Sequence, residues 1–115
     1  DTVVSSNSKS VRTANTLVRV RIEELGIPKD YALSQNYPNP FNPSTTIQFA
    51  IPERSFVTLV IYDVLGNTIT TLVSETMSPG VHSVRWNAVS FANGAYFYRL
   101  QAGQHSQTRK LVLLK

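Results

Sequence analysis

The chain has 115 residues, 42% hydrophobic and 16% charged, enough apolar material for one core and too much for wholesale disorder. It has no cysteine and two histidines, which excludes disulfides, thiolate metal sites, cysteine nucleophiles and any multi-histidine metal site within one chain. Eleven Lys and Arg against seven Asp and Glu give +4, but the charges are scattered. The tightest basic pair is Arg109-Lys110, so no stripe suited to nucleic acid exists and no nucleic-acid partner is expected.

Residues 1–16 are polar and rich in Ser and Asn, with little to pack. They read as a linker or the tail of something upstream. The sequence opens on Asp1 with no basic region leading into an apolar stretch, so no signal peptide is read and the chain is expected to come from a longer protein. Residues 17–22 alternate, with Val18, Val20 and Ile22 on one side and Arg19 and Arg21 on the other, the pattern of a half-buried strand. That strand is assigned to residues 1–30, the tail of a preceding unit. Gly26 and Pro28 then break the pattern, and a separate domain is expected over residues 31–115.

Next comes Asn36-Tyr37-Pro38-Asn39-Pro40-Phe41-Asn42-Pro43-Ser44-Thr45. Three prolines in six positions remove three backbone donors and bias Tyr37, Asn39 and Asn42 towards extended geometry. Such a segment cannot be a helix or a central strand. It is expected to form a stiff edge, anchored to the core by Tyr37 and Phe41.

Short alternating segments follow, over residues 46–51, 56–62, 68–73, 81–86, 95–100 and 108–114. Ile47, Phe49 and Ile51 share one face of the first, and Val57, Leu59 and Ile61 one face of the second. The intervening signals are Pro52-Glu53-Arg54, Asp63 to Asn67 with Gly66 free to take positive φ, Ser78-Pro79-Gly80, Ala92-Asn93-Gly94 and Ala102-Gly103-Gln104. Six strands with turns every 10 to 15 residues predict an all-β, immunoglobulin-like antiparallel β-sandwich of about six or seven strands. The longest apolar runs are four residues, too short to cross a membrane as a helix.

Chemistry is hard to find. Asp63 and Glu75 are the only carboxylates that invite pairing, and Asp63 at a turn is explained by local hydrogen bonding. His82 and His105 lie in or beside strands, with no nucleophile at a recognisable spacing. Three acidic residues after position 30 cannot build a calcium site, and no phosphate-cradling glycine loop is present. No enzyme activity, cofactor or metal is therefore expected. Trp86, Tyr96, Phe97 and Tyr98 suggest either a sugar-stacking platform or, with greater weight, a core of Trp86 and Tyr96 with the others packing laterally. The last segment is an apolar strand framed by cations and is expected to offer a free edge for strand addition by a partner.

The ordered set of motifs identifies a family. Residues 31–47, centred on the proline segment, closely resemble the opening of the type A C-terminal sorting domain of the type IX (Por) secretion system. The resemblance continues in Val60-Ile61-Tyr62-Asp63-Val64-Leu65-Gly66-Asn67, in Gly80-Val81-His82, in Trp86-Asn87 and in Asn93-Gly94-Ala95-Tyr96-Phe97-Tyr98-Arg99-Leu100. It ends in Arg109-Lys110-Leu111-Val112-Leu113-Leu114-Lys115. Two departures are small: Asn67 stands where the family often has Arg or Lys, and Ala95 where a bulkier residue is usual.

The resemblance implies an address rather than an enzyme. Cargo carrying such a domain enters the periplasm, meets outer-membrane translocon and shuttle proteins, and reaches the cell surface or the medium. A surface sortase usually removes the domain, releasing the cargo or joining it to lipopolysaccharide. The cut would fall in residues 23–30 or 1–16, with an upstream cargo domain in the same parent chain. The residues expected to carry recognition are Pro38, Asn39, Pro40, Phe41, Pro43, Gly66, Gly94, Tyr96, Lys110, Leu111, Val112, Leu113, Leu114 and Lys115. Exchange of the terminal strand between copies is a further expectation, since terminal strands swap at low cost. The alternatives are a carbohydrate-binding module and a structural immunoglobulin-like spacer of a secreted protein.

Overall fold

Alternation of apolar and polar residues builds seven strands in the computed structural model, which describes residues 27–115. They are β1 (Ala32–Leu33), β2 (Ser44–Ile51), β3 (Ser55–Tyr62), β4 (Thr68–Met77), β5 (Gly80–Asn87), β6 (Gly94–Ala102) and β7 (His105–Leu113). The strand expected over residues 17–22 lies outside the described residues. Antiparallel pairing gives a three-stranded sheet, β1-β2-β5, and a four-stranded sheet, β4-β3-β6-β7. In the constant-type immunoglobulin layout the fourth strand joins the first sheet; here β4 pairs with β3 instead.

The core lies between the sheets. Ile47, Phe49 and Ile51 of β2 meet Val57, Leu59 and Ile61 of β3, with Tyr98, Leu100, Leu111 and Leu113 completing it, and all are fully buried. Each such side chain contributes about 1.5–3 kcal/mol over its exposed state. Trp86 touches Phe41, Phe91 and Tyr96 at centroid distances of 5.6, 5.6 and 5.7 Å, closing one end of the core. Trp86 and Tyr96 are therefore core residues, as expected.

Four expectations need correction. Tyr37 is 80% exposed and anchors nothing, because its backbone pairs with Thr46 and turns the ring outward. Tyr98, expected to pack laterally, is wholly buried; it shares the inward face of β6 with Tyr96 and Leu100. β4 runs on to Met77 through a polar stretch, its backbone held by β3 where the side chains give no alternation. β7 begins at His105, because Gly103 at φ 58 closes a two-residue hairpin that pairs Ala102 with His105.

Register sorts the connections to two ends of the sandwich. Ser44 opposite Asn87, Tyr62 opposite Thr68 and Gly94 opposite Leu113 mark one end. Ile51 opposite Gly80, Ser55 opposite Met77 and Ala102 opposite His105 mark the other, about 25 Å away at roughly 3.3 Å per residue. Tyr31, stacked on His105 at 4.9 Å, brings the chain in at that far end.

Candidate functional site

The proline segment is held from beneath by a buried polar network. Asn36 is buried; its Nδ2 donates to the Pro38 carbonyl at 3.1 Å and to Thr45 Oγ1 at 3.0 Å, while its Oδ1 accepts Gln35 Nε2. Thr45 Oγ1 in turn donates to the Pro38 carbonyl at 2.9 Å. The Tyr98 hydroxyl donates to the Ser34 carbonyl at 2.6 Å and accepts the Asn36 amide at 2.9 Å. Burial pushes the Tyr98 phenol above its ordinary pKa, and the Asn36 amide and the Arg109 charge offset this only in part. Phe41, 1% exposed, plugs the core against Trp86. The Tyr37-Pro38, Asn39-Pro40 and Asn42-Pro43 bonds are cis.

The same segment covers the outer edge of β7. Phe41 donates its amide to the Val112 carbonyl and accepts the Leu114 amide, both at 3.0 Å. Asn39 Oδ1 accepts the Val112 amide at 3.0 Å, and Gln35 Nε2 donates to the Lys110 carbonyl at 2.8 Å. Arg109 Nε reaches the Leu33 carbonyl. The free edge expected along residues 110–114 is thus absent: the prolines, which cannot donate, sit beside an Asn and a Gln that supply the missing polar atoms. Strand addition at that edge is ruled out while the segment stays in place.

The turn of residues 63–67 lies at the same end. Asp63 Oδ1 accepts the Leu65 and Asn67 amides at 2.9 Å each, and Oδ2 accepts Asn67 Nδ2 at 3.1 Å. The Asn67 amide above all, then its side chain, holds the Asp63 carboxyl below its ordinary pKa. Gly66 sits at φ 87, a left-handed conformation that a side chain would strain. Gly94 at φ 147 starts β6, and Tyr96, two residues on, donates its hydroxyl to the Ala92 carbonyl at 2.6 Å and ties down the preceding loop. Asn93 Oδ1 accepts the Lys115 amide at 2.8 Å, and Lys115 Nζ donates to the Val89 carbonyl at 3.1 Å.

Residues read from motifs spread over 38–115 therefore meet at one end of the sandwich. Not all can touch a partner. Phe41, Tyr96, Leu111 and Leu113 are buried and shape the surface; Pro38, Asn39, Pro40, Lys110, Leu114 and Lys115 are exposed on it. Asn36, Thr45 and Tyr98, which hold the segment, lie within the motifs but were not among the residues expected to carry recognition. Their signal was available in the alternation of Tyr96, Tyr98 and Leu100, because a buried tyrosine needs a partner for its hydroxyl.

The catalytic alternatives do not assemble. Glu75 sits opposite Val57, six residues along β3 from Asp63, so the two carboxylates are separated by much of the strand's length. His82 leans on Phe49 and donates Nε2 to the Ser78 carbonyl at 2.9 Å, and His105 lies against Tyr31. Trp86, at 4% exposure, presents no face for a sugar.

Comparison with known proteins agrees with this architecture. The solved structure of PorZ, described as an essential bacterial surface component of the type-IX secretion system of human oral-microbiomic Porphyromonas gingivalis, is similar in fold, with a TM-score of 0.51 at 19% identity. The alignment covers 96% of this chain and 13% of that one, so the chain spans a small part of PorZ's length. A search of curated proteins finds no match. The model of the secretion system C-terminal sorting domain matches residues 35–114, from just before the proline segment to the last strand. The chain belongs to the family of type IX secretion C-terminal sorting domains.

Proposed function

We propose that this domain is an export address with no catalysis of its own, read at the end of the sandwich where its motifs meet. The outer-membrane translocon and its shuttle proteins would bind the surface made by the proline segment, the turn of residues 63–67 and the tip of β7. The observation that carries this reading is the convergence of Pro38, Asn39, Pro40, Gly66, Gly94 and Lys110–Lys115 on one end. Tyr31 enters at the other end, so an upstream cargo would trail some 25 Å behind the recognised surface. That separation would keep a sortase cut in residues 23–30 or 1–16 away from the surface held by the machinery. Transit through the periplasm and then release or attachment at the cell surface complete the sequence of events. In a strand-exchanged pair the bonds from Gln35, Asn39 and Phe41 would be made to the β7 of the other copy, the same contacts at low cost.

The test is a fusion of all 115 residues behind a signal peptide and a fluorescent reporter, in a bacterium with the type IX system and in a translocon mutant. Reporter at the surface or in the medium of the first strain alone supports the reading. Reporter held in the periplasm of both contradicts it.

A further inference from the structure

The turn of residues 63–67 exposes more apolar surface than a turn needs. Val64 is 65% exposed and Leu65 83%, where turns ordinarily carry polar or small residues. Neither side chain helps the turn to form. That work is done by the Asp63 carboxylate, by the Gly66 amide donating to the Asp63 carbonyl at 3.1 Å, and by the Asp63 amide donating to the Asn67 carbonyl at 3.0 Å. Two aliphatic side chains are therefore held out in water on a rigid mount, which lowers the ordering cost of burying them in a partner.

Beside the turn is a shallow depression bounded by Tyr62, Phe97, Arg99 and Thr108. The Arg99 guanidinium lies 5.3 Å over the Tyr62 ring, and its Nη2 donates to the Tyr62 hydroxyl at 3.1 Å. Among the described residues no carboxylate forms an ion pair with it. Lys110 stands opposite Phe97 in the register, on the same outward face. Asp63 also lines the depression, but its carboxylate is taken up by the turn's own donors, which leaves the exposed Arg99 and Lys110 as the charges turned to solvent beside the knob.

We infer that Val64 and Leu65 form a docking knob for a protein partner that offers an apolar slot rimmed with carboxylates. Leu65 fills the slot, and Arg99, already oriented by Tyr62, meets the acidic rim with Lys110 beside it. Binding energy concentrates in a few desolvated contacts ringed by others that exclude water, and Arg is among the residues enriched there. A sugar is a poorer occupant, because the exposed side chains at the turn are aliphatic and Arg99 already covers the Tyr62 ring. This inference rests on the export reading above and names the chemistry of the partner that reads the domain.

The test uses the full chain behind the signal peptide and reporter, with Leu65→Asp, Leu65→Met and Arg99→Glu variants. Circular dichroism of each purified chain reports folding. With the parent exported, Leu65→Asp and Arg99→Glu are expected to lower surface delivery about tenfold or more, and Leu65→Met to leave it near the parent level. Delivery of either charge variant at the parent rate overturns the inference and leaves the export reading intact. Failure of the parent itself overturns both. Should Leu65→Asp lose its native spectrum, Leu65→Ala is read in its place with the same two outcomes. Sedimentation with phosphatidylethanolamine–phosphatidylglycerol vesicles that depends on Leu65 would assign the knob to a lipid surface and overturn the protein partner.

Discussion

Asn39 and Val112 are 73 positions apart in sequence, and the side-chain oxygen of the first accepts the amide of the second at 3.0 Å. This contact, with the two backbone bonds between Phe41 and residues 112 and 114, makes the first and last motifs of the domain a single surface. Neither segment can be recognised in its native shape without the other. Removal of residues 110–115 would thus disturb the proline segment as well as the tail. A truncation phenotype alone cannot assign recognition to the tail.

Tyr98→Phe should separate the polar role of this residue from its packing role. The ring is retained, but the Asn36 amide and the Ser34 carbonyl both lose their partner in a buried setting. A cost of about 1–3 kcal/mol is expected, read as a fall of several degrees in Tm on thermal denaturation. Because folding raises the phenol's pKa, Tyr98 contributes stability that is present below its unfolded value of 10.0 and is lost as pH rises through the folded value. The parent should therefore lose its advantage over Tyr98→Phe in alkaline denaturation.

Phe41 and Tyr37 flank the same prolines and should behave oppositely. Phe41→Ala removes a ring 1% exposed against Trp86 and is expected to cost about 3–5 kcal/mol. Tyr37→Ala removes a ring 80% exposed and should change stability by less than about 0.5 kcal/mol. Urea denaturation of both variants checks the pair.

Six strands and the core face of β3 were legible because alternation of side chains is a local signal: Val57, Leu59 and Ile61 read as buried and are. The polar half of β4 and the start of β7 were not, since both are fixed by hydrogen bonds to a neighbour rather than by their own pattern. Composition showed the proline segment to be unusual, but its partner on β7 is a non-local choice that no spacing reveals. Tyr37 looked like an anchor for the same reason as Phe41. Their bridge partners distinguish them: Tyr37 pairs with the exposed Thr46 and Phe41 with the buried Leu113.

Asp63 should make the turn of residues 63–67 sensitive to acid. Its carboxyl is held below the ordinary value of 3.8, chiefly by the Asn67 amide, so its contribution is present above that value and is lost as pH falls through the lower folded one. In melting curves taken from pH 6 down to pH 2, the difference in Tm between the parent and Asp63→Ala should shrink below about pH 4. A difference that stays constant to the lowest pH would show that the carboxylate's charge does not hold the turn.

On the export reading, one end of the sandwich is read and the other is not. The most direct measurement compares export of the reporter fusion for exposed positions at each end: Asn39→Arg, Leu114→Asp and Lys115→Glu at the motif end, Arg54→Glu, Ser78→Arg and Gln104→Arg at the far end. With native circular dichroism throughout, delivery is expected to be impaired by the first three and unchanged by the second three. Equal delivery from both sets, or losses confined to the far end, would contradict it.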